Sequence, residues 1–246
     1  MTMADRLETG YRAKLRWLLA KVRPRRLEFG VELLLGRARS LREREGVPLG
    51  EALARVYEFT RWRVKRRLER TAACRLDGGP LGASRPPTRF LCDPSLGGLA
   101  RWLRAAGYEA DWLRAPAADP VAEAGQRGAV LVTTDSRQAG RMGAGEGVPG
   151  VLWVPSSLSR VRQLGVVLRD LDLEPREPRC MACGAELRAV PKADVAGRIP
   201  PRTARWKDEY FLCAGCGRLY WQGTHWQRIA ARLDGERPAV TAAARP

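Results

Sequence analysis

Apolar residues in the first seventy-odd positions recur at helical spacing. Leu7, Tyr11, Leu15, Leu18, Leu19 and Val22 fall on one face of a predicted helix, and Pro24 ends the run. A second helix is predicted over Glu28 to Glu45, closed by Gly46 and Pro48, and a third over Leu49 to Thr71. Residues 1–77 therefore read as a helical domain. From Gly78 to Thr88 the pattern stops, and Gly79, Pro80, Gly82, Pro86 and Pro87 mark a linker over 78–88.

Beyond the linker, short apolar strands alternate with helices. Strands are expected at Arg89 to Cys92, Tyr108 to Leu113, Ala129 to Thr133 and Val151 to Pro155. Helices are expected at Leu96 to Ala106, Asp119 to Arg127, Ser136 to Met142 and Ser159 to Leu171. This alternation predicts an α/β domain over 89–174, a parallel sheet with helices on its faces. From about Glu174 the chain turns rich in proline and charge. A cysteine-bearing module follows over 175–234, ending in a short helix at Trp226 to Leu233. Residues 235–246 carry no pattern and read as a disordered tail.

Composition adds a partner class. Lys and Arg number 44 against 27 Asp and Glu, a formal charge of +17. Such a field attracts polyanions, of which nucleic acid is the commonest; the alternative is charge that serves solubility alone. No apolar run is long enough to span a bilayer, and the charged N-terminus lacks a signal peptide's apolar stretch, so the chain reads as cytoplasmic. The six cysteines then read as metal ligands or free thiols before disulfides.

Four of them form two pairs, Cys180-Met-Ala-Cys183-Gly and Cys213-Ala-Gly-Cys216-Gly. Each pair turns two thiolates toward one point, and two pairs complete a tetrahedral site for one structural zinc ion. The 29 residues between the pairs exceed the usual spacing and require an inserted loop, which Val190 to Pro201 can supply.

A second constellation is acidic. Asp93 follows the first strand of the α/β domain, Asp135 follows the third, and Asp119 opens the helix between the second and third. In a parallel sheet these positions share the edge where ligands bind. Carboxylates converging there need cations among them, and Mg²⁺ or Mn²⁺ suits hard oxygen ligands. Two such ions can cleave a phosphodiester. The plainer reading is that each aspartate caps a helix.

Phe90-Leu-Cys-Asp93-Pro-Ser-Leu-Gly-Gly-Leu-Ala-Arg-Trp-Leu-Arg-Ala-Ala-Gly-Tyr108, followed by Leu131-Val-Thr-Thr-Asp135-Ser-Arg, resembles the Mut-seven C-terminal RNase family, a PIN-like group. So does the module carrying Pro191-Lys192, Arg198-Ile-Pro-Pro201, Trp221-Gln-Gly-Thr-His225-Trp226 and the two cysteine pairs. The likeness covers about Arg89 to Leu233. It implies a PIN-like metal-dependent RNase domain fused to a zinc ribbon, with the acidic positions on Asp93, Asp119 and Asp135.

Candidate RNA contacts lie on two helices. The third N-terminal helix carries Arg61, Arg63, Lys65, Arg66, Arg67 and Arg70, with Tyr57 and Trp62 interleaved; arginine forks hold phosphates and aromatic rings stack on bases. The alternative is a solvated face with the aromatics in the core. After Asp93, Leu96, Leu99, Trp102, Leu103 and Ala106 share one helix face and Arg101 and Arg104 the other, so that these arginines meet a phosphate or water. His225, the one histidine, has no nucleophile elbow beside it and reads as a packing residue.

The expected function is RNA hydrolysis by two metal ions. The alternatives are a non-catalytic RNA- or ribosome-binding protein, favoured by the lone acidic residue at Asp119, and a toxin-like nuclease held by a partner.

Overall fold

A computed structural model of the chain describes residues 2–73, 87–142 and 150–221. Most of the predicted linker, His225, the predicted helix at Trp226 to Leu233 and the predicted tail lie outside them. In chain order the helices are α1 (Met3–Ala20), α2 (Leu27–Glu45), α3 (Leu49–Ala73), α4 (Gly97–Ala105), α5 (Pro120–Gln126), α6 (Ser136–Ala139), α7 (Arg160–Asp170), α8 (Lys192–Val195) and α9 (Pro201–Ala204). The strands are β1 (Arg89–Cys92), β2 (Glu109–Trp112), β3 (Val130–Thr133), β4 (Val151–Trp153), β5 (Leu187–Val190), β6 (Tyr210–Cys213) and β7 (Leu219–Trp221). Among the described residues, no helix is long and apolar enough to cross a membrane.

The fold is mixed α/β. In one sheet β1 pairs with β3, and β3 with β4, in parallel. Every residue of β3 and β4 is buried, as parallel strands covered on both faces must be. Expected and observed elements differ mainly at their ends, where the caps decide. Ser159 and Asp119 stand before their helices as N-caps, each accepting hydrogen bonds from amides of the first turn. The predicted helix at Ser136 to Met142 is one short α turn followed by a 3-10 turn.

The chain divides into two compact units. The first comprises Met1–Leu96 and Leu113–Ser156. Here α1, α2 and α3 pack on one another through Leu15, Leu18, Val31, Leu35, Leu53 and Tyr57, all buried. On its exposed side, Arg39 of α2 forks onto both carboxylate oxygens of Glu8 at 3.0 and 2.6 Å. Helix α1 also packs on α6. Its Gly10 lies so close to the Trp153 ring that a β-carbon there would overlap three ring atoms. Glycine in a helix interior costs roughly 1 kcal/mol relative to alanine; here it allows the close approach. Tyr11 then meets Trp153 edge-on, ring centroids 5.6 Å apart.

The second unit comprises Gly97–Trp112 and Ser157–Pro246. In it α4 packs against α7 and β2, while β5, β6 and β7 form an antiparallel sheet. Val195, Ile199 and Tyr210 make a small core beside that sheet, so the stretch between the cysteine pairs folds as α8, a 3-10 turn and α9. The segment leading to the cysteines is pinned to the end of α4, with Arg176 N donating to Ala106 O at 3.0 Å and Arg179 N to Arg104 O at 2.9 Å.

Candidate functional site

The acidic site begins where β1 and β3 end. The Asp93 amide donates to Val132 O at 2.9 Å, continuing the strand ladder one residue past β1. The Asp93 carboxylate is then held from both sides. Oδ1 accepts from the Ser95 amide at 2.9 Å and the Ser95 hydroxyl at 2.5 Å. Oδ2 accepts from the Thr134 amide at 2.7 Å, the Thr133 hydroxyl at 2.9 Å and the Thr134 hydroxyl at 3.3 Å. The Thr133 hydroxyl also accepts from the Asp135 amide at 3.0 Å. Thr133 therefore ties the two strand ends, and with them Asp93 and Asp135, into one cluster.

Asp135 caps α6 by accepting from the Arg137 amide at 3.0 Å. The Arg137 guanidinium grips the same carboxylate, Nε at 3.0 and 3.1 Å and Nη2 at 2.9 Å. That hydrogen bond, against partial burial and with help from the Arg137 amide and the charges of Arg137 and Arg6, holds the Asp135 carboxyl below its usual range. Asp119 caps α5 through the Val121 and Ala122 amides at 3.0 and 3.1 Å. Arg141 forks onto it at 2.8 and 3.3 Å and is the main cause of its lowered pKa.

The structure thus brings Asp93 and Asp135 together around Thr133 and engages Asp119 with Arg141. Among the described residues, the group placed closely enough to hold one ion is the four cysteines. The carboxylate oxygens are the hard donors a divalent cation requires. Arginines stand as the counterions of Asp135 and Asp119, and both are substantially exposed, Arg137 at 80% and Arg141 at 47%.

A cleft of about 510 Å³ opens beside Asp135, lined among others by Met3, Arg6, Arg137, Trp153 and Ser156. Neither Arg6 nor the hydroxyls around Asp93 figure among the sequence candidates. Thr-Thr-Asp directly after an apolar strand was the available signal for Thr133 and Thr134; nothing local marks Arg6.

The basic candidates on α3 divide. Lys65, Arg66, Arg67, Arg70 and Arg63 are exposed, while Arg61 is half-buried and bonded to Glu58 at 3.2 Å. Trp62, 37% exposed, stacks on Phe59 and carries the Arg66 guanidinium 5.2 Å from its ring centroid. Tyr57 belongs to the core, its ring beneath the Lys14 ammonium at 4.6 Å. On α4, Arg101 is exposed. Arg104 is 3% exposed and donates to Ala110 O at 2.5 Å, Ala182 O at 2.8 Å, Met181 O at 3.3 Å and Asp111 at 2.7 Å. Its donors are taken up by the Ala110 carbonyl, the Asp111 carboxylate and the carbonyls of the first cysteine turn.

Those turns are built alike. Gly184 N donates to Cys180 O at 2.8 Å, and Gly217 N to Cys213 O at 3.0 Å. Both glycines take positive φ, 83° and 66°, where a side chain would be strained. The sulfurs approach closely: Cys180 to Cys216 at 3.6 Å and Cys183 to Cys213 at 3.3 Å, with all four ligand atoms within 4.8 Å of one another. Four sulfurs about 2.3 Å from a zinc ion would stand about 3.8 Å apart, so the cysteines can hold a metal ion such as zinc. Electrostatics agrees. Burial opposes ionisation of Cys180, but the Tyr220 hydroxyl and nearby amides bring it down to about 6. The Arg218 amide favours a thiolate at Cys216, yet burial and the neighbouring sulfurs push it up to about 12. Thiolates this close repel one another, and a cation among them relieves that repulsion.

Comparison with known proteins adds one match: the family model for the Mut7-C RNase domain covers residues 88–233. No curated protein and no solved structure matches the chain. The matched span starts at β1, takes in the aspartates at the ends of β1 and β3, and runs through both cysteine turns over more than half the sequence, so the chain belongs to the Mut7-C RNase domain family.

Proposed function

We propose that the chain is a metal-dependent ribonuclease whose α/β part is a PIN-like nuclease domain and whose cysteine module is a zinc ribbon. The observation that carries this reading is the joining of Asp93 and Asp135 through Thr133 at the ends of two adjacent parallel strands, in a chain of an RNase family. Asp93 and Asp135 would hold Mg²⁺ or Mn²⁺, and Asp119 would join them on release from Arg141. When bound, such ions, acting as a pair, activate water and stabilise the leaving oxygen of a phosphodiester. The chain's own residues prepare the site. Ser95, Thr133 and Thr134 fix the Asp93 carboxylate so that it does not rotate between ligating and non-ligating poses. Arg137 balances Asp135 in the free site and is then available to a substrate phosphate. The exposed cations of α3, with Trp62, provide a surface for the RNA strand. Zinc in the ribbon is structural, since four thiolates leave no open position.

A second reading, a non-catalytic RNA-binding protein, draws on the ion pairs that engage Asp119 and Asp135. The deciding experiment is RNA cleavage by wild type and Asp135→Asn with and without Mn²⁺. The nuclease reading expects metal-dependent cleavage that falls on the order of a hundredfold or more in the variant. No cleavage by wild type would remove the nuclease reading and favour the binding one; equal rates would remove Asp135 from the mechanism.

A further inference from the structure

We infer that the N-terminal helical region, which lies outside the family match, supplies a substrate-binding residue to the nuclease site: Arg6, which takes a phosphate of the RNA strand in the cleft beside Asp135.

The cleft at Asp135 has two walls. One comes from the sheet edge, with Thr134, Ser136, Arg137, Trp153 and Ser156; the other comes from α1, with Met3, Arg6 and Leu7. These α1 residues sit together because positions three and four apart share a helix face. The next positions on that face are Gly10 and Tyr11, which grip Trp153 by overlap-close packing and by an edge-on ring contact. Trp153 is 2% exposed and donates its indole N–H to Thr134 O at 3.2 Å, one residue before Asp135. One rigid contact therefore sets the distance from α1 to the acidic edge, and Arg6, one turn before Gly10, faces the cleft.

Its chemistry suits a phosphodiester. Arg6 is exposed, and among the described residues its guanidinium makes no hydrogen bond or ion pair. Other arginines of the first unit that approach carboxylates are engaged: Arg137 with Asp135, Arg141 with Asp119, Arg12 with Glu32 and Arg39 with Glu8. A guanidinium with unspent donors beside a candidate metal-binding carboxylate can fork onto a non-bridging phosphate oxygen while the scissile group lies over the acidic pair. The Ser136 hydroxyl in the same lining also lacks a partner among the described residues. The rest of the lining, with Met3 and Leu7, is apolar enough to lie against a sugar or base.

The inference rests on the ribonuclease reading for the identity of the strand, and its test separates the two. Binding of a fluorescein-labelled six-nucleotide single-stranded RNA is measured in EDTA across a salt series, with wild type, Arg6→Ala, Arg6→Lys and Arg16→Ala. Arg16 sits on α1 outside the cleft lining and pairs with Glu28, so its removal controls for net charge. Arg6→Ala should weaken binding about tenfold at low salt and flatten the log–log salt slope by about 0.7, the share of one phosphate on a single strand. Arg6→Lys should restore the slope, and Arg16→Ala should leave it near wild type. An unchanged Arg6→Ala slope, or an equal loss in Arg16→Ala, overturns the assignment; so does an absence of wild-type binding. In the cleavage assay with Mn²⁺, Arg6→Ala should raise KM with kcat nearly unchanged, and an unchanged KM overturns the assignment while leaving the nuclease reading standing. A binding loss in a protein that cleaves nothing leaves Arg6 as a phosphate contact and removes the nuclease reading instead.

Discussion

Replacing Asp93 by asparagine should cost stability in a way that replacing Asp135 does not. The Asp93 carboxylate receives two backbone amides on opposite oxygens, Ser95 at 2.9 Å and Thr134 at 2.7 Å, besides the hydroxyls of Ser95, Thr133 and Thr134. An asparagine has one acceptor oxygen. Whichever way its amide turns, one backbone N–H faces an NH₂ group; the hydroxyls can rotate to accept, but the amide cannot. The loss is one hydrogen bond to a charged acceptor, together with the desolvation of an unpaired N–H, each worth roughly 1–3 kcal/mol. Asp93 is half-buried, so water relieves part of this and the net loss should be about 2 kcal/mol. Asp135 accepts instead from a backbone cap and from Arg137, which is 80% exposed. Asparagine caps as well as aspartate, and an exposed ion pair contributes roughly 0–1 kcal/mol, so Asp135→Asn should lose less than about 1 kcal/mol. Urea denaturation of the zinc-loaded protein, followed by tryptophan fluorescence, reads both. The reasoning fails if Asp93→Asn lies within about 0.5 kcal/mol of wild type, or if Asp135→Asn proves the weaker protein. It also makes Asp135→Asn the cleaner test of catalysis.

Freshly prepared, chelator-free protein should carry about one zinc per chain, and Cys183→Ser should lose it and loosen the C-terminal module; elemental analysis that finds no zinc in wild type would refute this. Gly10→Ala should destabilise by about 1–2 kcal/mol, because forcing a methyl into the Trp153 ring outweighs the roughly 1 kcal/mol gained in helix propensity; a higher Tm in the variant would show that the ring yields. Glu8 has its pKa held below its ordinary 4.5 chiefly by the hydrogen bond from Arg39. Its contribution is therefore present above that value and lost as pH falls through the folded value. Stability of Glu8→Gln should fall less than that of wild type between about pH 5 and pH 3, as measured by urea midpoints, and parallel curves would count against the pairing.

Much of the fold was legible because it is written locally. The apolar runs 90–92 and 130–132 are short and are buried at every residue, as strands covered on both faces must be, and the proline and glycine around them fix where they stop. The cysteine pairs were readable because a CxxC followed by glycine determines its own turn. What escaped the sequence was set by distant partners. Arg101 and Arg104 look alike on a helical wheel, but only Arg104 meets the carbonyls of Met181 and Ala182. Asp119 was placed by its position before a helix, but its ion-pair partner Arg141, 22 residues on, has no local signature. Arg6 carries no local mark at all; its place follows from Gly10 against Trp153, a contact across most of the described chain. The periodicity of a helix reveals that it has a buried face, not which strand or loop will cover it.

The burial of Arg104 has a consequence for the order in which the protein becomes itself during synthesis. Its carbonyl partners, Met181 and Ala182, lie 77 and 78 residues further along the chain. While the ribosome is still making that stretch, the guanidinium has only Ala110 O and the Asp111 carboxylate to donate to, and its Nη1 is left to water. Closing so long a loop is also slow, since the entropy of closure precedes the reward of the contact. The packing around Arg104 is therefore completed only once the first cysteine turn has been made.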